Sequence, residues 1–145
     1  MYDIENYYNA STIEEAVRLL KEHPDTRVIS GGSDVLIKIR EGKMAGTSLV
    51  SIRDIKELNG ITKKENGDIY IGAGTTFSHI TNDPVIQENI PVLGEAVDQV
   101  GGPQIRNIGT IGGNICNGAV SADSAPTVFS LNALLRIEDG NNGRT

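Results

Sequence analysis

The chain is poor in the residues that build disulfide and metal sites. Its 145 residues include one cysteine, Cys116, and two histidines, His23 and His79. One cysteine excludes an internal disulfide framework, and an internal iron–sulfur cluster would need about four cysteine ligands. Neither histidine has the spacing of a metal ligand to another histidine or cysteine. We therefore expect no bound metal.

Long apolar runs and an excess of positive charge are missing as well. No stretch approaches the roughly 18 consecutive apolar residues that a transmembrane helix needs, so we expect no membrane span. The first residues lack the basic and apolar regions of a signal peptide, and a cytoplasmic location is the default expectation. The formal net charge of −6 makes nucleic acid a poor partner.

Glycine, by contrast, is abundant, and two glycine-centred segments carry most of the functional information. The first glycine segment is Val28-Ile29-Ser30-Gly31-Gly32-Ser33-Asp34-Val35. Its β-branched run ends at a glycine pair, and small polar residues then open a predicted helix. This layout is typical of a backbone cradle for phosphate, because glycine allows close approach and free N–H groups can point at the anion.

The second glycine segment runs from Gly101 to Asn114 and places Gly112-Gly113 beside the hydroxyl of Thr110 and the amide of Asn114. Two such loops, far apart in sequence, suit a diphosphate held between two chain segments. Neither segment matches the dinucleotide or P-loop fingerprints. A glycine pair after a strand is also often an ordinary turn. The spacing alone therefore indicates only an anion or nucleotide site.

Local patterns predict an α/β region followed by a mixed region. Ser11 to Glu14 reads as a capping box that starts a helix ending at His23-Pro24. Strands are predicted over 27–30, 48–52, 61–64, 68–72 and 133–137, and helices over 34–42, after Pro84, after Pro91 and over 124–131. The first strands and helices form a β-α-β pattern with a small parallel sheet. The strand at 133–137 enters a turn at 139–143 and lacks a return partner, so we expect the chain to be truncated.

With these motifs in place, the chain resembles the FAD-binding subunit of the molybdenum hydroxylases, the xanthine dehydrogenase family. The resemblance extends from Tyr2 to about Glu138. It rests on the sequences SGGSD at 30–34 and GAGTT at 72–76, and above all on the stretch from Gly102 to Ala125, which includes TIGGNICNG.

The resemblance implies an α+β fold of the molybdopterin dehydrogenase FAD-binding type. A small α/β subdomain with a parallel sheet (residues 1–57) would precede a second α+β subdomain with a mainly antiparallel sheet (residues 58–145), with FAD between them. The implied FAD contacts are Val28, Ile29, Ser30, Gly31, Gly32, Ser33, Asp34, Val35, Gly101, Thr110, Ile111, Gly112, Gly113, Asn114 and Asp123. No catalytic side chain is implied.

The implied role is that of an oxidoreductase subunit. A molybdenum-cofactor subunit oxidises a substrate, a subunit with [2Fe-2S] clusters relays electrons, and FAD passes them to NAD or another acceptor. The fragment alone is not expected to turn over. The first glycine segment contains no histidine or cysteine, which predicts non-covalent FAD. Two alternatives remain open: a free-standing flavin oxidase or reductase of the same superfamily, and a non-catalytic remnant that only docks to partner subunits.

Three charged residues near these segments have structural interpretations too. Asp34 and Asp123 could each be the N-cap of the helix that follows, with no ligand contact. Arg106 is predicted to tie the second glycine segment to a neighbouring carbonyl or carboxylate.

Overall fold

The structure is a computed structural model that describes residues 2–140, and the chain divides into two compact units. The first unit consists of residues 1–57 and 134–145, and its described part covers 2–57 and 134–140. The second unit is Leu58–Ala133. Each unit has its own sheet and its own apolar core. The predicted α+β fold class is confirmed by this architecture.

The first unit is built on a three-stranded parallel sheet. Its elements are β1 (Ile4–Asn9), α1 (Ile13–Glu22), β2 (Arg27–Ile29), α2 (Val35–Arg40) and β3 (Thr47–Ser51). The strand order is β1-β3-β2, so β3 is central, and Val50 pairs with Tyr8 on one side and Val28 on the other. The predicted small parallel sheet is therefore present, with β1 as a strand that the sequence patterns did not reveal.

The central strand explains the core of the first unit. Leu49, Val50 and Ser51 are buried in succession, which is typical of a strand covered on both faces. Leu49 packs with Ile29 of β2 and Ile39 of α2. Val35 and Leu36 pack against the same cluster, which therefore fixes the end of β2 and the start of α2 on either side of the glycine turn.

The start of α1 differs from the sequence prediction by one residue. Thr12, and not Ser11, is the N-cap, and its Oγ1 accepts a hydrogen bond of 3.1 Å from the Glu15 N–H. The Glu15 carboxylate reaches back to accept from both the N–H and the hydroxyl of Ser11, each at 2.8 Å. These bonds, together with a weaker attraction to Arg18, hold the pKa of Glu15 below its ordinary value.

The second unit combines one antiparallel strand pair with a set of short helices. Its elements are β4 (Ile61–Lys63), β5 (Ile69–Ile71), α3 (Phe77–Asn82), α4 (Pro84–Asn89), α5 (Pro91–Asp98), α6 (Pro103–Arg106), α7 (Ile111–Asn117) and α8 (Ser124–Ser130). The hairpin is centred where the sequence predicts it, with Thr62 opposite Tyr70. A 3₁₀ turn at Lys56–Leu58 precedes β4.

Helix α5 contacts α3, α4 and α8 and lies at the middle of this unit. The core residues are Phe77, Ile80, Ile86, Leu93, Val97, Val100 and Ile111. Isoleucines of β4 and β5 pack against the same cluster. Because Ile111 is the first residue of α7, the core also anchors the glycine-rich end of that helix.

The strand predicted over 133–137 is wrong. In the described part of the chain this segment forms no strand, and only Ile137 takes part in an isolated bridge. Leu134 is 83% exposed. At Gly140 the backbone lies so close to α1 that an added Cβ would be 2.7 Å from Val17 Cγ1. The turn predicted over 139–143 lies outside the described residues from position 141 onward.

Candidate functional site

The first glycine segment turns at the carboxyl end of β2, where ligands bind in parallel sheets. Ile29 is buried in the core, and its carbonyl accepts from the Ile52 N–H at 3.0 Å. The chain then bends, and Gly32 adopts φ +76°, a left-handed conformation that side chains disfavour. A Cβ at Gly32 would meet Ile29 Cδ1 and Leu36 Cδ1, each at 3.2 Å. Glycine is thus required here by the turn and by the core beneath it.

Most backbone N–H groups of this turn make no hydrogen bond within residues 2–140. The Leu36 N–H donates to the Gly32 carbonyl and the Lys38 N–H to the Asp34 carbonyl, which close the first turn of α2. Within residues 2–140, no hydrogen-bond acceptor is found for the N–H groups from Gly31 to Val35. A run of consecutive unpaired N–H groups around a glycine turn is the arrangement that binds anionic oxygens.

The side chains of the first glycine segment differ in their exposure to solvent. Val28 is 42% exposed, whereas Ile29 belongs to the core and can offer only its backbone to a ligand. Asp34 occupies the N-cap position of α2, but its side chain makes no capping bond and is exposed. Asp34 is therefore the N-cap of α2 by position, as predicted, but without a capping hydrogen bond. Its carboxylate, which would repel a phosphate, extends into solvent.

The second glycine segment begins at a turn that Arg106 holds closed. Gly101 has φ +49°, and its carbonyl accepts from Arg106 Nη1 at 2.8 Å. Arg106 Nε lies 3.2 Å from Asp98 Oδ1. The prediction that Arg106 ties this loop to a carbonyl and a carboxylate is confirmed.

At the start of α7 the backbone N–H groups already have partners. Thr110 is the N-cap, and its Oγ1 accepts from the Gly113 N–H at 3.2 Å. The Ile111 N–H donates to the Thr75 carbonyl at 3.1 Å, and the Gly112 N–H donates to the Ala73 carbonyl at 2.9 Å. This end of α7 is therefore tied to the turn before α3. Unlike the first glycine segment, it can offer a ligand its side chains but few N–H groups.

Gly112 and Gly113 have different reasons to be glycine. A Cβ at Gly112 would lie 2.7 Å from both Cβ and the carbonyl oxygen of Ala73, so the helix could not approach that turn. A Cβ at Gly113 would meet only Thr110 Oγ1, at 3.0 Å. Gly112 is required for packing inside the second unit, whereas Gly113 is exposed and leaves space at the capping threonine.

The side chain of Asn114 connects α7 to α8. Asn114 Oδ1 accepts a hydrogen bond of 2.6 Å from the hydroxyl of Ser124, which is fully buried. Asp123, one residue earlier, holds the N-cap position of α8 without a capping bond and is exposed. Asp123 is therefore the N-cap of α8 by position but makes no capping hydrogen bond, and its side chain is exposed to solvent.

The site residues thus fall into two sets. Residues 28–35 belong to the first unit, and Gly101, Thr110–Asn114 and Asp123 belong to the second. Sequence patterns missed Ala73 and Thr75, whose carbonyls hold α7, and also Ser124. Backbone carbonyls leave no signal in a sequence, and a serine at a helix start is normally assigned to capping.

Within residues 2–140, no three histidine, cysteine, aspartate or glutamate side chains are grouped as metal ligands. A shifted pKa is found for Glu15 and for Glu41, which pairs with Lys43, and both lie outside the two glycine segments. Among residues 2–140, no helix combines the length and apolar character that a bilayer crossing requires.

Comparison with known proteins places these features in one family. Residues 2–145 match the family described as the FAD binding domain in molybdopterin dehydrogenase. The xanthine dehydrogenase FAD-binding subunit of Escherichia coli O157:H7 is 42% identical over 137 residues, which are 94% of this chain and 47% of the relative. The nicotinate dehydrogenase FAD-subunit of Eubacterium barkeri is 39% identical over 140 residues, or 95% of this chain and 47% of the relative.

A solved structure has the same fold. Reconstituted CO dehydrogenase from Oligotropha carboxidovorans superimposes with a TM-score of 0.78 at 32% identity, covering 82% of this chain and 42% of the matched one. The chain spans about half the length of the curated relatives it matches.

Proposed function

The chain belongs to the family of FAD-binding domains in molybdopterin dehydrogenases, and we propose that it holds FAD in an electron-transfer subunit of a molybdenum hydroxylase. In that role the residues of this chain would hold FAD, and the bound cofactor would supply the redox chemistry between iron–sulfur clusters and NAD or another acceptor. The observation that carries the proposal is the run of N–H groups from Gly31 to Val35 without acceptors among residues 2–140, at a glycine turn after a strand.

These N–H groups suit the diphosphate of FAD for an electrostatic reason. The chain carries a net charge of −6, so its overall field does not attract an anion. Binding must therefore come from short-range donors. A hydrogen bond to a charged group contributes about 1.5–3 kcal/mol, so two or three such bonds would contribute about 3–9 kcal/mol to FAD binding.

Side chains of the second glycine segment would complete the donor set. The Thr110 oxygen already accepts from Gly113, so its hydroxyl hydrogen is left to donate. Asn114 uses Oδ1 to accept from Ser124, which leaves its Nδ2 hydrogens to donate. We assign both groups to phosphate or nearby oxygen atoms of FAD, and we place Gly101 and Asp123 near the flavin ring.

The residues of this chain would bind and orient FAD, and the cofactor would supply the redox chemistry. When bound, FAD provides a ring that reversibly accepts and releases electrons. The first glycine segment would bind its diphosphate, and the exposed carboxylate of Asp123 would bias charge beside the flavin ring. We further propose that the two units correspond to the two FAD-binding subdomains predicted over residues 1–57 and 58–145, with the difference that residues 134–140 belong to the first unit.

The names of the relatives support a proposal about partner subunits. The matched proteins include FAD-binding subunits of xanthine and nicotinate dehydrogenases and the medium chain of a carbon monoxide dehydrogenase. We propose that this chain likewise assembles with a molybdenum-cofactor subunit and a [2Fe-2S] subunit, as part of an oxidoreductase in the cytoplasm.

A ligand series tests the proposal. The purified chain is titrated with FAD, ADP and riboflavin, and binding is followed by flavin fluorescence or by calorimetry. A diphosphate cradle predicts that riboflavin binds at least tenfold more weakly than FAD and that ADP competes with FAD. Equal affinities for FAD and riboflavin would contradict the assignment of the first glycine segment.

A further inference from the structure

Ser124 is a buried polar side chain that is hydrogen-bonded to the candidate-site residue Asn114. It is fully buried at the first position of α8, and its hydroxyl donates to Asn114 Oδ1 at 2.6 Å across a separation of ten residues. Helices α7 and α8 contact each other. The hydrogen bond therefore joins a rigid, buried donor to a side chain that we assign to FAD.

The buried Ser124 hydroxyl has no other acceptor among residues 2–140, so this bond favours the orientation in which Asn114 Oδ1 faces Ser124. With Oδ1 occupied by the Ser124 hydroxyl, Nδ2 has no partner among residues 2–140. No buried side-chain nitrogen or oxygen in that range lacks a partner, so Nδ2 reaches the surface. The reverse orientation would turn a carbonyl-type oxygen outward, which repels phosphate. The arrangement presents an N–H donor where an anionic ligand needs one.

We propose that Ser124 is a positioning residue for FAD that acts through Asn114, an inference that rests on the function proposed above. By holding the amide in its donor orientation before FAD arrives, Ser124 removes the cost of ordering that side chain on binding. Immobilising one flexible side chain weakens binding by about threefold to tenfold, and this is the effect expected when Ser124 is removed.

A double-mutant cycle tests the coupling. Ser124→Ala, Asn114→Ala and the double variant are compared with the native chain by FAD titration, with thermal unfolding of each apo protein as the folding control. We expect Ser124→Ala to weaken FAD binding about threefold to tenfold in the native background and to have no further effect in the Asn114→Ala background. An equal loss in both backgrounds, or native affinity in Ser124→Ala, would overturn the proposal.

Two further variants keep the proposal testable if the Ser124→Ala protein is unstable. Ser124→Cys keeps a side chain of similar shape with a weaker hydrogen-bond donor. Its affinity for FAD should therefore fall between those of the native chain and the alanine variant. Native FAD affinity in Ser124→Cys would contradict the positioning role. Ser130→Ala is the matched control, because Ser130 lies on the same helix and donates to the Thr127 carbonyl at 2.9 Å. It should bind FAD as the native chain does.

A readout without FAD separates this inference from the proposed function. The side-chain NH2 resonances of Asn114 should be dispersed in the native apo protein and should move toward random-coil positions in Ser124→Ala. Unchanged resonances would overturn the positioning role even if FAD binds. If the resonances move as expected and the native chain nevertheless binds no FAD, the proposed function fails while the Ser124–Asn114 coupling stands, and its assignment to FAD is withdrawn.

Discussion

Gly32→Ala best tests whether FAD binding requires the backbone geometry of the first glycine segment. Gly42→Ala provides a matched control for the loss of stability alone. Gly32 and Gly42 have nearly the same φ, +76° and +77°, and both belong to the first unit. An alanine at either position should cost about 1–2 kcal/mol, since a Cβ disfavours left-handed backbone. At Gly42 a Cβ meets nothing within 4 Å, whereas at Gly32 it presses on Ile29 and Leu36 at 3.2 Å.

The two variants should therefore differ in FAD affinity much more than in stability. Relaxing the turn at Gly32 moves the N–H groups that follow it, and losing two hydrogen bonds to phosphate at about 1.5 kcal/mol each weakens binding about 100-fold. Gly42→Ala should bind FAD as the native chain does. Urea unfolding and FAD titration measure both quantities. Equal FAD affinities in the two variants would refute the cradle at the first glycine segment.

Three further predictions concern other parts of the chain. Gly112→Ala should destabilise the second unit by about 1–3 kcal/mol through overpacking against Ala73, and Gly113→Ala should cost much less; equal unfolding midpoints would contradict this. Ser11→Ala should raise the pKa of Glu15 only part of the way, because the backbone bond remains. Since the folded pKa is depressed, this stabilisation is present at neutral pH and is lost as pH falls below about 4.3, which NMR titration and acid unfolding will show. Acid precipitation of the FAD complex should release all flavin; colour retained on the polypeptide would mean a covalent bond.

Sequence patterns predicted the elements whose signals are local. The parallel strands around the first glycine segment, the hairpin at Asn66-Gly67 and the helices that open at Pro84 and Pro91 all carry turn or capping residues at fixed offsets. The one-residue error at α1 arose because Ser11 and Thr12 both satisfy a capping pattern, with Glu14 and Glu15 three residues later. Only tertiary structure decides between two such registers.

The rest of the site depends on contacts that a single sequence does not encode. Gly112 and Gly113 look equivalent in the sequence, yet Gly112 packs on Ala73 and Gly113 faces Thr110. Helix α7 was not predicted because its first turn is rich in glycine, and its N–H groups are held by carbonyls of the turn before α3. The strand predicted over 133–137 failed because, in the described structure, this segment has only an isolated bridge at Ile137 and no continuous strand partner.

The most direct test of the account is an NMR titration of the 15N-labelled chain with FAD, read at individual backbone amides. We expect large downfield proton shifts for the amides of Gly31, Gly32 and Ser33, which gain charged acceptors. We expect much smaller shifts for Ile111 and Gly112, whose N–H groups already donate within the protein. FAD binding that leaves the amides of the first glycine segment unmoved would contradict the central claim.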